Sequence, residues 1–379
     1  MSKISLDDFF DDESMFNDEY IEMSVDFQRD WIHKYCKING SYSINDGGYI
    51  YVKGDIEIDV KTDCLKSLPG YIEFASVTGK FDINSSGLPN EYFESLKGCP
   101  KEVGSFFCKN CYALKNLEGA PNIVNGDFDC SGCVSLKNLN DAPKKVTGNF
   151  NCSRCKSLES FEGIPQDLGG DFDCSGCDLV ECFNFIPKEI HGDFNCSYCK
   201  SLKSLEGSPE KVAGSFICSF CWELESLAFA PKEVGGKFDC SNCYSLKNLC
   251  GITQKIGGDY DCSNCYNLES LSGLPVKLKG NLDCGNCNRL NNLSGCPREI
   301  YGNFNCSGCN SITNLVGMGY VGGNLYCKNC KSLVSLYTDV YPKGSVDGDF
   351  DCSGCNSLKS LESAPKVKGN FTCPGQLVG

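Results

Sequence analysis

Residues 192 to 212 read "GDFNCSYCKSLKSLEGSPEKV", and the same order of residue types returns along most of the chain. In its opening G-x-F-x-C, Phe194 and Cys196 alternate with Asp193 and Asn195. That period of two sends one pair of side chains inward and the other into solvent, so the segment reads as a short strand with one buried face. Leu202 and Leu205 then point back to the core, Pro209 stiffens an extended return, and Val212 closes the coil.

The C-x-x-C pairs set the rhythm. Their first members are Cys108, Cys130, Cys152, Cys174, Cys196, Cys218, Cys240, Cys262, Cys284 and Cys306, each 22 residues after the last. Steps of 21, 25 and 21 then lead to Cys327, Cys352 and an unpaired Cys373. A period of this length, held over more than half the chain, is the signature of a solenoid. Strands at equivalent positions must pair in parallel and in register, and thirteen of them, from Phe106 to Phe371, would span roughly 60 Å at the usual spacing. The residue before the second cysteine is Asn or Gly in nine of the twelve pairs, types that tolerate positive φ, so a tight turn is expected there. Between repeats no segment has the length or apolar periodicity of a long helix, and the convex side is expected to be extended or built of 3₁₀ turns.

Taken as strand, turn and return, F-x-C-x-x-C-x-x-L-x-x-L resembles the leucine-rich repeat in its cysteine-containing form. The returns "SLEGSPEKV" and "SLEGAPN"-like resemble those of repeat proteins encoded by large tailed bacteriophages and giant viruses. The resemblance covers roughly residues 54 to 379. It implies an all-β-rich solenoid: a right-handed coil with one in-register parallel sheet and little helix beyond an N-terminal cap. It also implies that Cys199 and its equivalents stack in a ladder that satisfies turn backbone groups. For function it implies little, because solenoids serve unrelated partners.

The ends depart from the pattern. "GDIEIDVKTDCLKSLP" and "GKFDINSSGLP" read as degenerate repeats with Ile58 and Ile83 near the first cysteine position, as expected of coils that cap a core edge. Residues 24 to 36, "SVDFQRDWIHKYC", carry a Ser N-cap candidate and Phe27, Trp31, Ile32 and Tyr35 at helical spacing, which predicts a capping helix. Residues 1 to 35 hold ten acids and three bases, so −7 of the chain's net −14. The organisation expected is a flexible acidic segment over 1–23, a capping helix with degenerate repeats over 24–100, and a solenoid with a C-terminal cap over 101–379.

Net charge −14 argues against nonspecific binding to nucleic acid or anionic membrane. The acidic start lacks the basic and apolar regions of a signal peptide, and no stretch approaches 18 apolar residues. A cytoplasmic location, that of the host cell for a viral protein, and reduced thiols are therefore expected. The spacing C-x₂-C-x₁₈-C-x₂-C fits a zinc ribbon, which makes a metal-binding protein, with zinc or iron on its cysteine pairs, one alternative. Against it, four-cysteine sites would group repeats two by two, and no 44-residue alternation is present; small buried thiols explain both cysteines equally well. A disulfide within each pair is not excluded by geometry but is opposed by a reducing compartment. With only His33 and His191, and glycines that follow the repeat beat, no catalytic residue, metal ligand or cofactor is assigned.

Two solvent-facing columns run along the strands. One reads Asp127, Asn149, Asp171, Asp193, Ser215, Lys237, Asp259; the next reads Asp129, Asn151, Asp173, Asn195, Ile217, Asp239, Asp261. Asn between Asp allows side-chain hydrogen bonds along the ladder and relieves repulsion. Such a face is either solvated surface, a platform for a basic partner, or a weak calcium site. As an imitation of DNA it is sparse. Eleven aspartates over thirteen strands give one charge per roughly 5 to 6 Å, against about 1.7 Å in the duplex, but an acidic decoy for a nucleic-acid-binding enzyme remains a second alternative.

Aromatic and apolar residues break this face in mid-chain. Ile217 interrupts the Asp/Asn column, Phe220 replaces the usual Asn or Gly, and Trp222 follows the second cysteine. With Tyr198, Tyr244 and Tyr266 they are expected to form one continuous ridge beside the carboxylates Asp171, Asp173, Asp193, Asp239 and Asp261, or else to lie flat and shield the core. Phe107 and Tyr326 break the face near its ends. The reading is a non-enzymatic solenoid that binds a protein partner with a basic or aromatic-accepting surface, with no direct nucleic-acid or membrane contact. A phage protein engaging a host defence or regulatory protein fits the repeat style.

Overall fold

Parallel pairing follows the 22-residue register. Phe194 stands opposite Phe172 on one side and Phe216 on the other, and Asn195 opposite Asp173 and Ile217. The computed structural model describes residues 18–83, 88–252, 255–339 and 344–375. The chain divides into two units, Met1–Asp171 and Phe172–Gly379.

The first unit begins with helix α1 (Asp18–Tyr35). It starts six residues before the predicted Ser24, which is interior; the preceding run Glu19–Met23 contains no Gly or Pro to stop a helix. Residues 1–17 of the expected flexible segment lie outside the described residues, and 18–23 are helical. Trp31 and Ile32 are buried, and Gln28 Nε2 donates to Gly48 O (2.7 Å) and Tyr71 O (2.6 Å), tying the helix to the first coils. An antiparallel hairpin follows, β1 (Cys36–Ile44) with β2 (Tyr49–Ile58). Its turn is held by Asn45, whose Oδ1 accepts from the N–H groups of Gly47 (3.0 Å) and Tyr49 (2.9 Å). This hairpin was not foreseen. Parallel strands β3 (Glu73–Asp82) and β4 (Glu102–Phe107) come next, with Ile56, Phe81, Phe106 and Phe128 in one row. Ile83 N–H bonds to Phe107 O (2.9 Å), so Ile58 and Ile83 stand at the first cysteine position.

The second unit repeats one coil. Two-residue strands run in register from Phe172 through Phe238, Tyr260, Leu282, Phe304, Leu325 and Phe350 to Phe371. The returns form further parallel ladders, Ile190–Val212–Val234 and Leu278–Ile300–Val321–Val346–Val367, so the return face is paired strand rather than merely extended. The fold is a parallel β-solenoid with one α-helix among the described residues, at the N-terminal end. Stacked rings fill its core: Phe194, Phe216, Phe238 and Tyr260 succeed one another at 5.1 to 5.3 Å between centroids, all 0 or 1% exposed. Each such ring contributes about 1.5 to 3 kcal/mol of burial, which makes the Phe position the chief apolar anchor of each coil.

Candidate functional site

The strand ends of the second unit are shaped first by the need to terminate a ladder. Were the strand to continue, Ser197 N–H would bond to Cys174 O in the parallel pattern already set by Cys174 N–H to Asn195 O (2.9 Å). Instead Ser197 N–H bonds to the side-chain oxygen of Asn195 (3.0 Å), an Asx turn that bends the chain. The vacated carbonyl of Cys174 takes the thiol of Cys199 (3.4 Å). The thiol contact recurs with Cys221 on Cys196 O (3.3 Å), Cys243 on Cys218 O (3.2 Å), Cys265 on Cys240 O (3.2 Å) and Cys287 on Cys262 O (3.2 Å), the last three beside an Asx turn and Cys221 without one. Where the strand ends on Asp or Asn, that side chain and the second cysteine are therefore two halves of one device. Burial pushes the Cys218, Cys221 and Cys240 thiols up, away from the thiolate that metal ligation or redox attack requires.

The carboxylates proposed as a docking face share this work. Asp173, Asp239 and Asp261 hold the N–H groups of Ser175 (2.9 Å), Ser241 (2.9 Å) and Ser263 (3.0 Å). In the outer column Asp193 Oδ1 accepts from Ser215 N (2.6 Å) of the next coil, and Asn149 Oδ1 accepts from Asp171 N (2.7 Å). Asp171 belongs to the first unit; the other candidate residues belong to the second. Lys237 Nζ bridges Asp239 (3.0 Å) and Asp261 (3.1 Å), so the face is less acidic than its aspartate count. Beyond it a shallow cleft of about 500 Å³ is lined by Lys237, Asp261, Asn281, Asp283, Asn305 and Lys328. Burial raises the Asp283 carboxyl above the usual range, opposed by the Gly285 N–H and the Asn305 amide.

The turn position before the second cysteine has positive φ in all twelve coils. Nine are Asn or Gly, which adopt it at little cost; Arg154 (58°), Tyr198 (61°) and Phe220 (59°) do not. Ile217, in turn, has no side-chain oxygen for the Ser219 N–H that every Asp or Asn in its column would hold. Two of the three residues that crowd this coil thus work against the coil's own requirements.

The aromatic residues form two columns rather than the single ridge expected. Tyr198 and Phe220 stack at the turn, 4.4 Å apart and 5° from parallel. Two residues later Trp222 stacks on Tyr244 (6.3 Å, 10°) and Tyr244 on Tyr266 (5.2 Å, 8°). The one-column expectation failed because Tyr198 precedes a second cysteine whereas Tyr244 and Tyr266 follow one. Tyr198 is 48% exposed, Trp222 41% and Tyr266 43%, whereas Phe220 and Tyr244 are half-buried. Sequence reasoning missed the cation at the head of the second column. Lys200 Nζ lies 5.7 Å from the Trp222 ring and 3.4 Å from Asp178. Its signal was positional, since Lys200 occupies in its coil the place of Trp222. His191 is exposed, and His33 Nε2 lies 3.4 Å from the Tyr42 hydroxyl. Among the described residues no three His, Cys, Asp or Glu side chains are grouped to hold a metal ion, and no helix is long and apolar enough to cross a membrane.

No protein-family model and no curated protein matches the chain. Among solved structures it is similar to a leucine-rich repeat protein from Bacteroides ovatus, with 13% identity and a TM-score of 0.38, over 88% of this chain and 98% of that one.

Proposed function

We propose that this chain is a non-enzymatic interaction solenoid that binds a partner protein through the columns Tyr198–Phe220 and Trp222–Tyr244–Tyr266, with Ile217 beside them. The observation that carries the reading is the placement of Phe220 and Ile217. Each sits where the coil is better served by Asn or Asp, each is half-buried rather than fully buried, and Phe220 stacks on the exposed Tyr198. Residues kept against local stability are those to suspect of function. Tyr and Trp are also the types that dominate binding at protein interfaces. The carboxylates Asp173, Asp193, Asp239 and Asp261 serve as a polar rim that favours a basic partner. A ladder of buried thiols bonded to carbonyls fits a reducing compartment such as the cytoplasm, that of a host cell if the chain is viral, where the partner would be a defence or regulatory protein.

The test is affinity purification from the source cells with the wild-type chain and the Phe220→Ala/Trp222→Ala double variant. The variant is expected to fold, since both side chains are outside the core, and to lose the partner. Equal capture by the folded variant would sink the proposal. Raising ionic strength during capture separates it from an acidic decoy, which would release its partner steeply with salt.

A further inference from the structure

We infer that the second unit carries a separate surface that pairs with a second copy of this chain, built on Phe185 and Phe229. After the second core leucine position the coils turn through positive φ, and from Gly98 to Gly317 eight of them meet that demand with glycine. Asp141 takes the place once, and Phe185 (74°) and Phe229 (69°) take it in two coils of the second unit. A left-handed backbone disfavours so bulky a side chain. Packing opposes it as well, since a Cβ on Gly207 would lie 2.4 Å from Phe183 O and one on Gly251 2.7 Å from Ala228 Cα. Burial offsets neither cost: Phe185 is 56% exposed, and Phe229, at 64%, is the most exposed large apolar side chain among the described residues.

The column reads Phe185, Gly207, Phe229, Gly251, and all four residues are exposed. Rings and bare glycines therefore alternate coil by coil, with roughly 10 Å between one ring-bearing coil and the next. That order is its own complement. A two-fold axis lying across the solenoid brings Phe229 of one copy onto Gly207 of the other and Phe185 onto Gly251, and each contact recurs in reverse, as a symmetric pair requires. The same operation matches the charges. The exposed column four residues earlier reads Glu181, Lys203, Glu225, Lys247, so Glu181 meets Lys247 of the other copy and Lys203 meets Glu225. Lys203 already bridges Glu181 of its own chain (3.1 Å), and the pairing extends that bridge. Beside the rings Glu206 meets Ala228, so in these columns no carboxylate faces a carboxylate, although the chain carries net charge −14. An unrelated protein has no reason to offer glycines, lysines and glutamates at the coil spacing, which selects a second copy as the occupant.

The variant that tests this is Phe229→Gly, which installs the residue that eight other coils carry and so does not endanger the fold. Sedimentation velocity over a concentration series is expected to show a reversible dimer of the wild-type chain, weakened at least about 10-fold by Phe229→Gly and unchanged by Phe220→Ala/Trp222→Ala. Zero-length coupling of amines to carboxyls in the dimer is expected to join Lys247 to Glu181. Within one chain these stand three coils apart, roughly 14 Å, so that cross-link forms only between copies. A wild-type chain that stays monomeric at every concentration, the result expected if this edge serves a different protein, would overturn the inference. So would a dimer indifferent to Phe229→Gly, a dimer lost only with Phe220 and Trp222, or one in which Lys247 couples to other carboxylates instead of Glu181. Each of these outcomes leaves the partner-capture test of the strand-face columns to be decided by its own variant.

Discussion

Single residues in this molecule separate into those the coil needs and those it tolerates. Asn195 and its equivalents end a strand by taking an N–H two residues on, and Ile217 cannot. Restoring the acceptor with Ile217→Asn supplies one buried hydrogen bond, of about 0.5 to 1.5 kcal/mol, for the loss of a half-exposed side chain. The variant is expected to melt a few degrees higher than wild type while binding the partner more weakly. Phe220→Asn is a less clean case, because relief of the left-handed backbone, about 1 to 2 kcal/mol, is offset by loss of the stack on Tyr198, about 0.5 to 1.5 kcal/mol. Arg154→Asn measures the relief alone, since Arg154 stands outside the aromatic columns. Thermal melts of the three variants decide the matter: if Ile217→Asn is less stable than wild type, Ile217 is serving the fold.

At the scale of the element, the coil is closed by sulfur. Thiols such as Cys221 and Cys243 are fully buried and bonded to a carbonyl, whereas Cys64 and Cys250 are exposed. Alkylation of the native protein with iodoacetamide, read by peptide mass, is expected to label Cys64 and Cys250 first and to reach the ladder cysteines only on unfolding. Rapid native labelling of Cys221 would contradict the ladder. The period-two alternation and the 22-residue beat made this coil legible in the sequence, because each buried position is filled by one residue type in coil after coil. The positive-φ turn was legible for the same reason, from Asn and Gly. The hairpin of β1 and β2 was missed although "NDGG" at 45–48 is a turn signal, because attention to the long period obscures a single antiparallel pair. The double duty of the aspartates was not legible either. Whether a polar side chain faces a partner or its own backbone depends on a ladder that ends two residues later.

The whole chain is a one-dimensional object within each unit, and that governs how damage spreads. Coils of the second unit touch mainly their neighbours, with strand pairs joining only successive repeats from Phe172 to Phe371. Stability is then close to a sum of coil and nearest-neighbour terms. Removing residues 284–305 joins Asp283 to Cys306 and restores the motif "NLDCSGC" without a break in register. The shortened chain is expected to fold with the same ellipticity per residue and to keep the partner, because both aromatic columns end before the excision, at Phe220 and Tyr266. Removing residues 218–239 repairs the register equally well but takes Phe220 and Trp222 with it. That chain is expected to be as stable as the first and to bind nothing. Circular dichroism establishes that both fold, and partner capture then compares them. Equal binding by the two would place recognition outside the aromatic columns, while loss of binding by both would show that the partner spans more coils than these columns occupy.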